Sequence, residues 1–145
     1  MPYSPLMVNP MRQELASIGF EDLMTAEAVD DFMHEKPSSA ILVINSVCGC
    51  AAGQARPGVA LAMRSEHKPE RLVTVFAGQD VEATQKAREY FADIPPSSPA
   101  IALFKEGEMV YFVPRHRIES RSAEDVAADL ASAFERYFAP ATTAS

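Results

Sequence analysis

The segment Ala40-Ile41-Leu42-Val43-Ile44-Asn45 constrains this chain more than any other, because five consecutive apolar residues leave no polar face to give to water. The run is too short to span a bilayer and rich in β-branched residues, so it reads as a strand buried on both faces. Residues 72–76, Leu-Val-Thr-Val-Phe, read the same way. Strands covered on both faces need helices above and below, and a long connection between two such strands implies a parallel pair.

The intervals supply those helices. Residues 1–11 read as an extended arm lying on the fold, and 9–19 as a short helix ended by Gly19. Thr25 is a good N-cap for a helix over 26–36, with Val29, Phe32 and Met33 on one face. Residues 51–65 form an Ala-rich helix interrupted by Pro57 and Gly58, and an internal proline kinks a helix. Asp80 caps a helix over 81–92 with Val81, Thr84, Ala87 and Phe91 inward. Pro95-Pro96-Ser97-Ser98-Pro99 is a rigid loop, and strands 100–105 and 109–113 form a hairpin around Glu106-Gly107-Glu108. Ser122 caps the last helix, with Glu124 and Asp125 in its first turn and Val126, Leu130, Phe134 and Phe138 on its buried stripe. The expectation is an α/β protein, a three-layer α/β/α sandwich around a mixed sheet of about four strands. A single domain covers 1–139, and 140–145 is a disordered tail.

A chain of 145 residues is long enough for one domain with a real core. The net charge of −7 argues against nucleic acid as a partner, since phosphate contacts need clustered Lys and Arg. It leaves room for a small anionic ligand at a local basic patch. Nothing is long and apolar enough to imply a membrane partner, and Met1-Pro2-Tyr3-Ser4-Pro5 lacks the positive region and apolar stretch of a signal peptide. A cytoplasmic location is expected.

The only two cysteines, Cys48 and Cys50, follow directly on the first buried strand. In a reducing compartment an i,i+2 bridge is a poor staple, because it closes almost no loop. Two ligands are too few for structural zinc, and no metal site is expected. Reactivity is the remaining reason for the pair, beside the bland reading of two small buried residues or ligands shared between chains. A thiol between a strand end and a helix start faces unsatisfied N–H groups and the positive end of the helix dipole, which favour thiolate. Cys48 is then the nucleophile, Cys50 the resolving thiol, and Gly49 the residue that leaves the turn unhindered.

Ser98-Pro99 stands directly before strand 100–105, the position at which thioredoxin-like proteins carry a cis-proline beside the active thiol. The kink at Pro57 is a second shared feature. Other features depart from thioredoxins: no Trp precedes the cysteines, the CGPC loop is absent, and Leu42 occupies the place of a buried acid six residues before the first Cys. No general base for the resolving thiol is identifiable.

Ser46-Val47-Cys48-Gly49-Cys50-Ala51, the Tyr3-Ser4-Pro5 arm and Phe112-Val113-Pro114-Arg115-His116-Arg117-Ile118-Glu119 together resemble the bacilliredoxin family over nearly the whole chain. The resemblance implies a thioredoxin fold and removal of bacillithiol, or a similar low-molecular-weight thiol, from mixed disulfides on client proteins. Disulfide isomerase activity is also attributed to the family, and the alternatives to thiol removal are a CxC disulfide isomerase or oxidant and a non-enzymatic redox-sensing protein on the same fold. No cofactor is bound on this reading; the small thiol is a co-substrate, S-thiolated proteins are the partners, and a homo-oligomer is open.

Arg115-His116-Arg117 is the one compact basic cluster. It reads either as an anion site for the carboxylates of a small thiol or as a solvated connection between the last strand and last helix. The substrate-side residues are therefore Gly49, Ser98, Pro99, Arg115 and His116. His34 and His67 fall on helix ends as surface residues, Met7, Met11, Met24 and Met33 fill core gaps, and the acidic pairs at 21–22, 30–31 and 124–125 are solvated faces or caps.

Overall fold

In the computed structural model, residues 3–140 are described, and they form a five-stranded mixed sheet between two helical layers. The strands are β1 (Glu21–Asp22), β2 (Ala40–Asn45), β3 (Arg71–Phe76), β4 (Ala100–Lys105) and β5 (Glu108–Val113). The sheet order is β1-β3-β2-β4-β5, with β1, β3 and β2 parallel and β4 and β5 antiparallel. All six residues of β2 are buried, as a central strand requires. Its alternate side chains serve two cores. Ile41 and Val43 pack with Val59, Val126, Leu130 and Phe134, whereas Leu42 and Ile44 pack with Val29, Phe32, Val73 and Phe104.

The first core is closed by α1 (Pro5–Ala16), α3 (Arg56–Ala62), the short α5 (His116–Glu119) and α6 (Ala123–Phe138), the second by α2 (Ala26–Glu35) and α4 (Val81–Glu89). Caps at Thr25 and Ser122 accept the N–H groups of Ala28 and Asp125, as expected from sequence. The hairpin turns through Glu106 and Gly107, both at positive φ (54° and 87°), the two-residue turn whose twist suits the flanking strands.

Several elements differ from the sequence expectation. Residues 5–11 belong to a helix rather than an extended arm: Ser4 caps it, Pro5 sits where no N–H is needed, and Val8 and Leu15 anchor it. The fifth strand is the acidic pair Glu21–Asp22, expected as a solvated face. It carries no apolar signal and is held by pairing with Val73 and Thr74, while Phe20 and Leu23 on either side are buried.

Asp80 does not cap α4 with its side chain but receives Arg12, which also bridges to Asp22. Val81 is exposed, while Thr84, Ala87 and Phe91 are buried. Met7 and Met24 are exposed, Met11 is half-buried, and only Met33 of the four fills the core. Phe138 lies half-buried at the end of its stripe. The tail expected over 140–145 lies, beyond Pro140, outside the described residues. None of the helices among the described residues is long and apolar enough to cross a membrane.

Candidate functional site

The chain leaves β2 through Asn45 and Ser46, both buried, and turns into helix at residues 49–50. Cys48 stands at this turn with its carbonyl accepting from the N–H groups of Ala51 and Ala52. The next turn, Ala51–Ala55, is π-helical, with Arg56 N–H reaching back to Ala51. Pro57 has no N–H to continue an α-helical ladder across this point, so the irregularity expected at Pro57 falls in the turn before it. One additional residue in a helical turn rotates the following face by about 100°. Arg56 is buried as α3 begins.

Both cysteines are free and half-buried, with their sulfur atoms 2.8 Å apart. One thiol therefore donates to the other, and the two ionise unequally. For Cys48, burial raises the pKa, but hydrogen bonds from the Cys50 thiol, the Ser46 side chain and the backbone at Ala51 and Cys50 outweigh it, so the group lies below the ordinary cysteine value. Cys50 is raised, first by burial and then by its hydrogen bond to Cys48 and the neighbouring charge, with Arg115 acting in the opposite direction. Gly49 is exposed, and a Cβ there would meet nothing within 4 Å.

The Ser98-Pro99 peptide is cis, and Pro99 is buried directly before β4. Arg115 joins this loop to the thiols. Its Nη1 donates to Ser98 O at 3.2 Å, its backbone N–H donates to Ser97 Oγ at 3.3 Å, and its Nε pairs with Glu119 at 3.0 Å. Its pKa is raised, first by the Glu119 hydrogen bond and then by the charges of Cys50 and Cys48. From the other side Arg88 donates to Ser97 O.

The basic cluster read from sequence does not act as one patch. Arg115 belongs to the thiol site. His116 lines an apolar hollow of about 380 Å³ with Ile94, Pro95, Ser97, Phe112 and Pro114. Arg117 turns away to Tyr111 and to Asp129 on α6, and Asp129 is shared with Arg121. His34 is exposed, and His67 is half-buried beside Glu135. A larger groove, along α4 between Gly78 and Pro96, contains neither cysteine.

Sequence reasoning missed the groups beneath Cys48. Both acceptors of Arg56 Nη1 belong to the turn: Asn45 Oδ1 and Ser46 O, each at 2.8 Å. Asn45 Oδ1 also accepts from Ser46 N–H, and Ser46 Oγ accepts from Cys48 N–H at 3.1 Å. Glu14 Oε1 approaches Arg56 Nε to 3.2 Å but off the N–H line, so the contact is an ion pair rather than a hydrogen bond. Two signals were present: polar Asn45-Ser46 ending an apolar strand, and an arginine near the start of an Ala-rich helix. Leu42, in the place of a buried acid, packs into the second core.

A family profile described as Disulphide isomerase matches residues 3–138. A bacilliredoxin of Salinibacter ruber is 55% identical over 139 residues, covering 94% of this chain and 82% of its own. A bacilliredoxin of Cytophaga hutchinsonii is 54% identical over 133 residues, covering 92% and 98%. Among solved structures, a mutant thioredoxin from Halobacterium salinarum superposes with a TM-score of 0.58 at 17% identity, covering 86% of this chain and 96% of that one. This last likeness shows the thioredoxin fold.

Proposed function

The chain belongs to the bacilliredoxin family of thiol oxidoreductases on a thioredoxin fold, and from that premise we propose that it removes a low-molecular-weight thiol from protein mixed disulfides. The observation that carries this reading is the pair of free thiols with their sulfur atoms 2.8 Å apart where β2 turns into helix, with Cys48 below and Cys50 above the ordinary cysteine value. The thiol that ionises first is the nucleophile, and the protonated neighbour waits to resolve.

The Cys48 thiolate attacks the small-thiol sulfur of the mixed disulfide. A Cys48–thiol disulfide forms, the client–thiol bond breaks, and the client cysteine leaves as thiolate and takes a proton from water. Cys50 then loses its proton and attacks Cys48 Sγ, expelling the small thiol and leaving the Cys48–Cys50 disulfide. Two electrons from an external thiol reductant restore the dithiol. Bacillithiol or an equivalent is the proposed co-substrate and S-thiolated proteins in a reducing, cytoplasmic compartment are the proposed clients, with no bound cofactor. Gly49 leaves the approach to Cys48 open, Ser98 and Pro99 line the client side, and Arg115 and His116 line the side available to a carboxylate-bearing thiol.

The test uses a model protein carrying one bacillithiol mixed disulfide. Cys48→Ser is expected to abolish release of the client thiol, whereas Cys50→Ser is expected to accumulate a thiol adduct on Cys48, visible by intact mass. Full release by the Cys48→Ser variant would sink the assignment. The description of the matching profile favours a second reading, disulfide isomerisation, in which Cys48 attacks a client disulfide and returns it rearranged. Recovery of activity by scrambled ribonuclease, without any small thiol, separates it from the first.

A further inference from the structure

We propose that Ser46 is a further catalytic residue, its hydroxyl donating to the Cys48 thiolate, and that Asn45 and Arg56 are the positioning residues that aim it. The proposal rests on the reading of Cys48 as the attacking thiol and adds the group that supports its charge.

Ser46 is 7% exposed, Asn45 1% and Arg56 2%, so the three form a buried network with little competing water. Arg56 Nη1 donates to Ser46 O and to Asn45 Oδ1. Asn45 Oδ1 accepts in turn from Ser46 N–H at 2.9 Å, so the Ser46 backbone is held at both its carbonyl and its N–H, and the Asn45 amide donates to Met11 O. The Ser46 hydroxyl is thereby set against Cys48, whose N–H it accepts at 3.1 Å. A hydroxyl has one proton to give, and with its oxygen already accepting from the Cys48 amide, that proton is free for the neighbouring sulfur. The side-chain hydrogen bond of Ser46 is among the influences that lower Cys48.

A hydrogen bond to a thiolate is charge-assisted and gains strength where water is scarce. Its donor must hold still while the sulfur changes charge, and a preorganised donor costs no reorganisation at that moment. That is the use of burying an arginine here. The ionisable neighbours acting on Cys48 are Cys50 and, from the segment after β5, Arg115; Arg56 stands behind the Asn45–Ser46 backbone and acts through it.

The experiment measures the rate of Cys48 alkylation by iodoacetamide against pH in the reduced protein, with the modified residue identified by peptide mass. Ser46→Ala is expected to move the inflection upward and slow alkylation about fivefold at pH 7, with the high-pH plateau unchanged or higher. Ser46→Thr, which keeps the hydroxyl, is expected to restore the wild-type profile. Arg56→Lys keeps the charge and loses the two-acceptor grip, and is expected to shift the inflection in the same direction as Ser46→Ala.

An unmoved inflection in Ser46→Ala, or a lowered plateau in its place, overturns the catalytic role. If Arg56→Lys melts like the wild type and keeps its inflection, the positioning role falls. A wild-type Cys48 that titrates as an ordinary cysteine would overturn the reading of Cys48 as attacker instead.

Discussion

Arg56 and Arg115 reach the same pair of thiols from different elements and differ in almost every other respect. Arg56 is buried, and its hydrogen bonds end on the backbone and side chain just before Cys48. Arg115 is exposed and paired with Glu119, and it acts on Cys50 through charge. A buried guanidinium supports by geometry, because its bonds are directional and unscreened. An exposed one supports by field, which solvent and salt attenuate. The difference teaches that Cys48, the thiol proposed to attack, is tuned from within the fold, and Cys50, the thiol proposed to resolve, from its surface.

Removing the buried member should have the largest effect. Arg56→Met leaves Ser46 O without its side-chain donor, and the loss is expected at about 2–4 kcal/mol of unfolding free energy. For a chain of this size that is a fall of about 5–12 °C in melting temperature. Cys48 alkylation at pH 7 should slow together with it. A variant that loses stability but keeps the Cys48 profile would break the link between the two.

A second substitution sharpens the point by disturbing the same helix without touching the network. Gly58 sits on α3 where a Cβ would stand 2.7 Å from Val126 Cγ1 and 2.8 Å from Val126 Cβ, with Ala123 O at 3.1 Å. Gly58→Ala should therefore cost about 1–3 kcal/mol through overpacking against α6. The Cys48 inflection should stay where it is. Were it to move as far as in Arg56→Met, the sensitivity of Cys48 would follow helix packing in general rather than the arginine.

Much of this contrast was hidden in the sequence for a physical reason. Apolar runs announce burial, so β2, β3 and the sandwich were legible, and the Thr25 and Ser122 caps were legible from local chemistry. Cys48, Cys50 and the Pro99 loop were legible because the chain order of strand, thiols and helix already sets them at one sheet end. Glu21–Asp22 was not, since a two-residue edge strand is held by its neighbour's backbone and carries no pattern of its own. Nor was Arg56. A charged residue in a helix reads as surface, and only the π-helical turn before it and Asn45 across from it turn that expectation around. Arg115-His116-Arg117 differs again: three adjacent basic residues look like one patch, but the chain entering the short α5 sends them to three different neighbours.

The smallest effect belongs to the exposed arginine, and its signature is salt. Arg115 lowers the Cys50 pKa, so removing its charge should raise that value and leave less Cys50 thiolate at pH 7. Resolution of the Cys48 adduct should slow in Arg115→Met by about two- to threefold, with first attack by Cys48 changed less and the melting temperature held. Raising the salt to about 1 M should slow resolution in the wild type by a comparable factor, because the screening length there is about 3 Å. The variant should be indifferent to the same addition, and Arg115→Lys should behave as the wild type. If salt leaves wild-type resolution unchanged while Arg115→Met still slows it, Arg115 works by holding Ser98 O, and the two arginines are then of one kind.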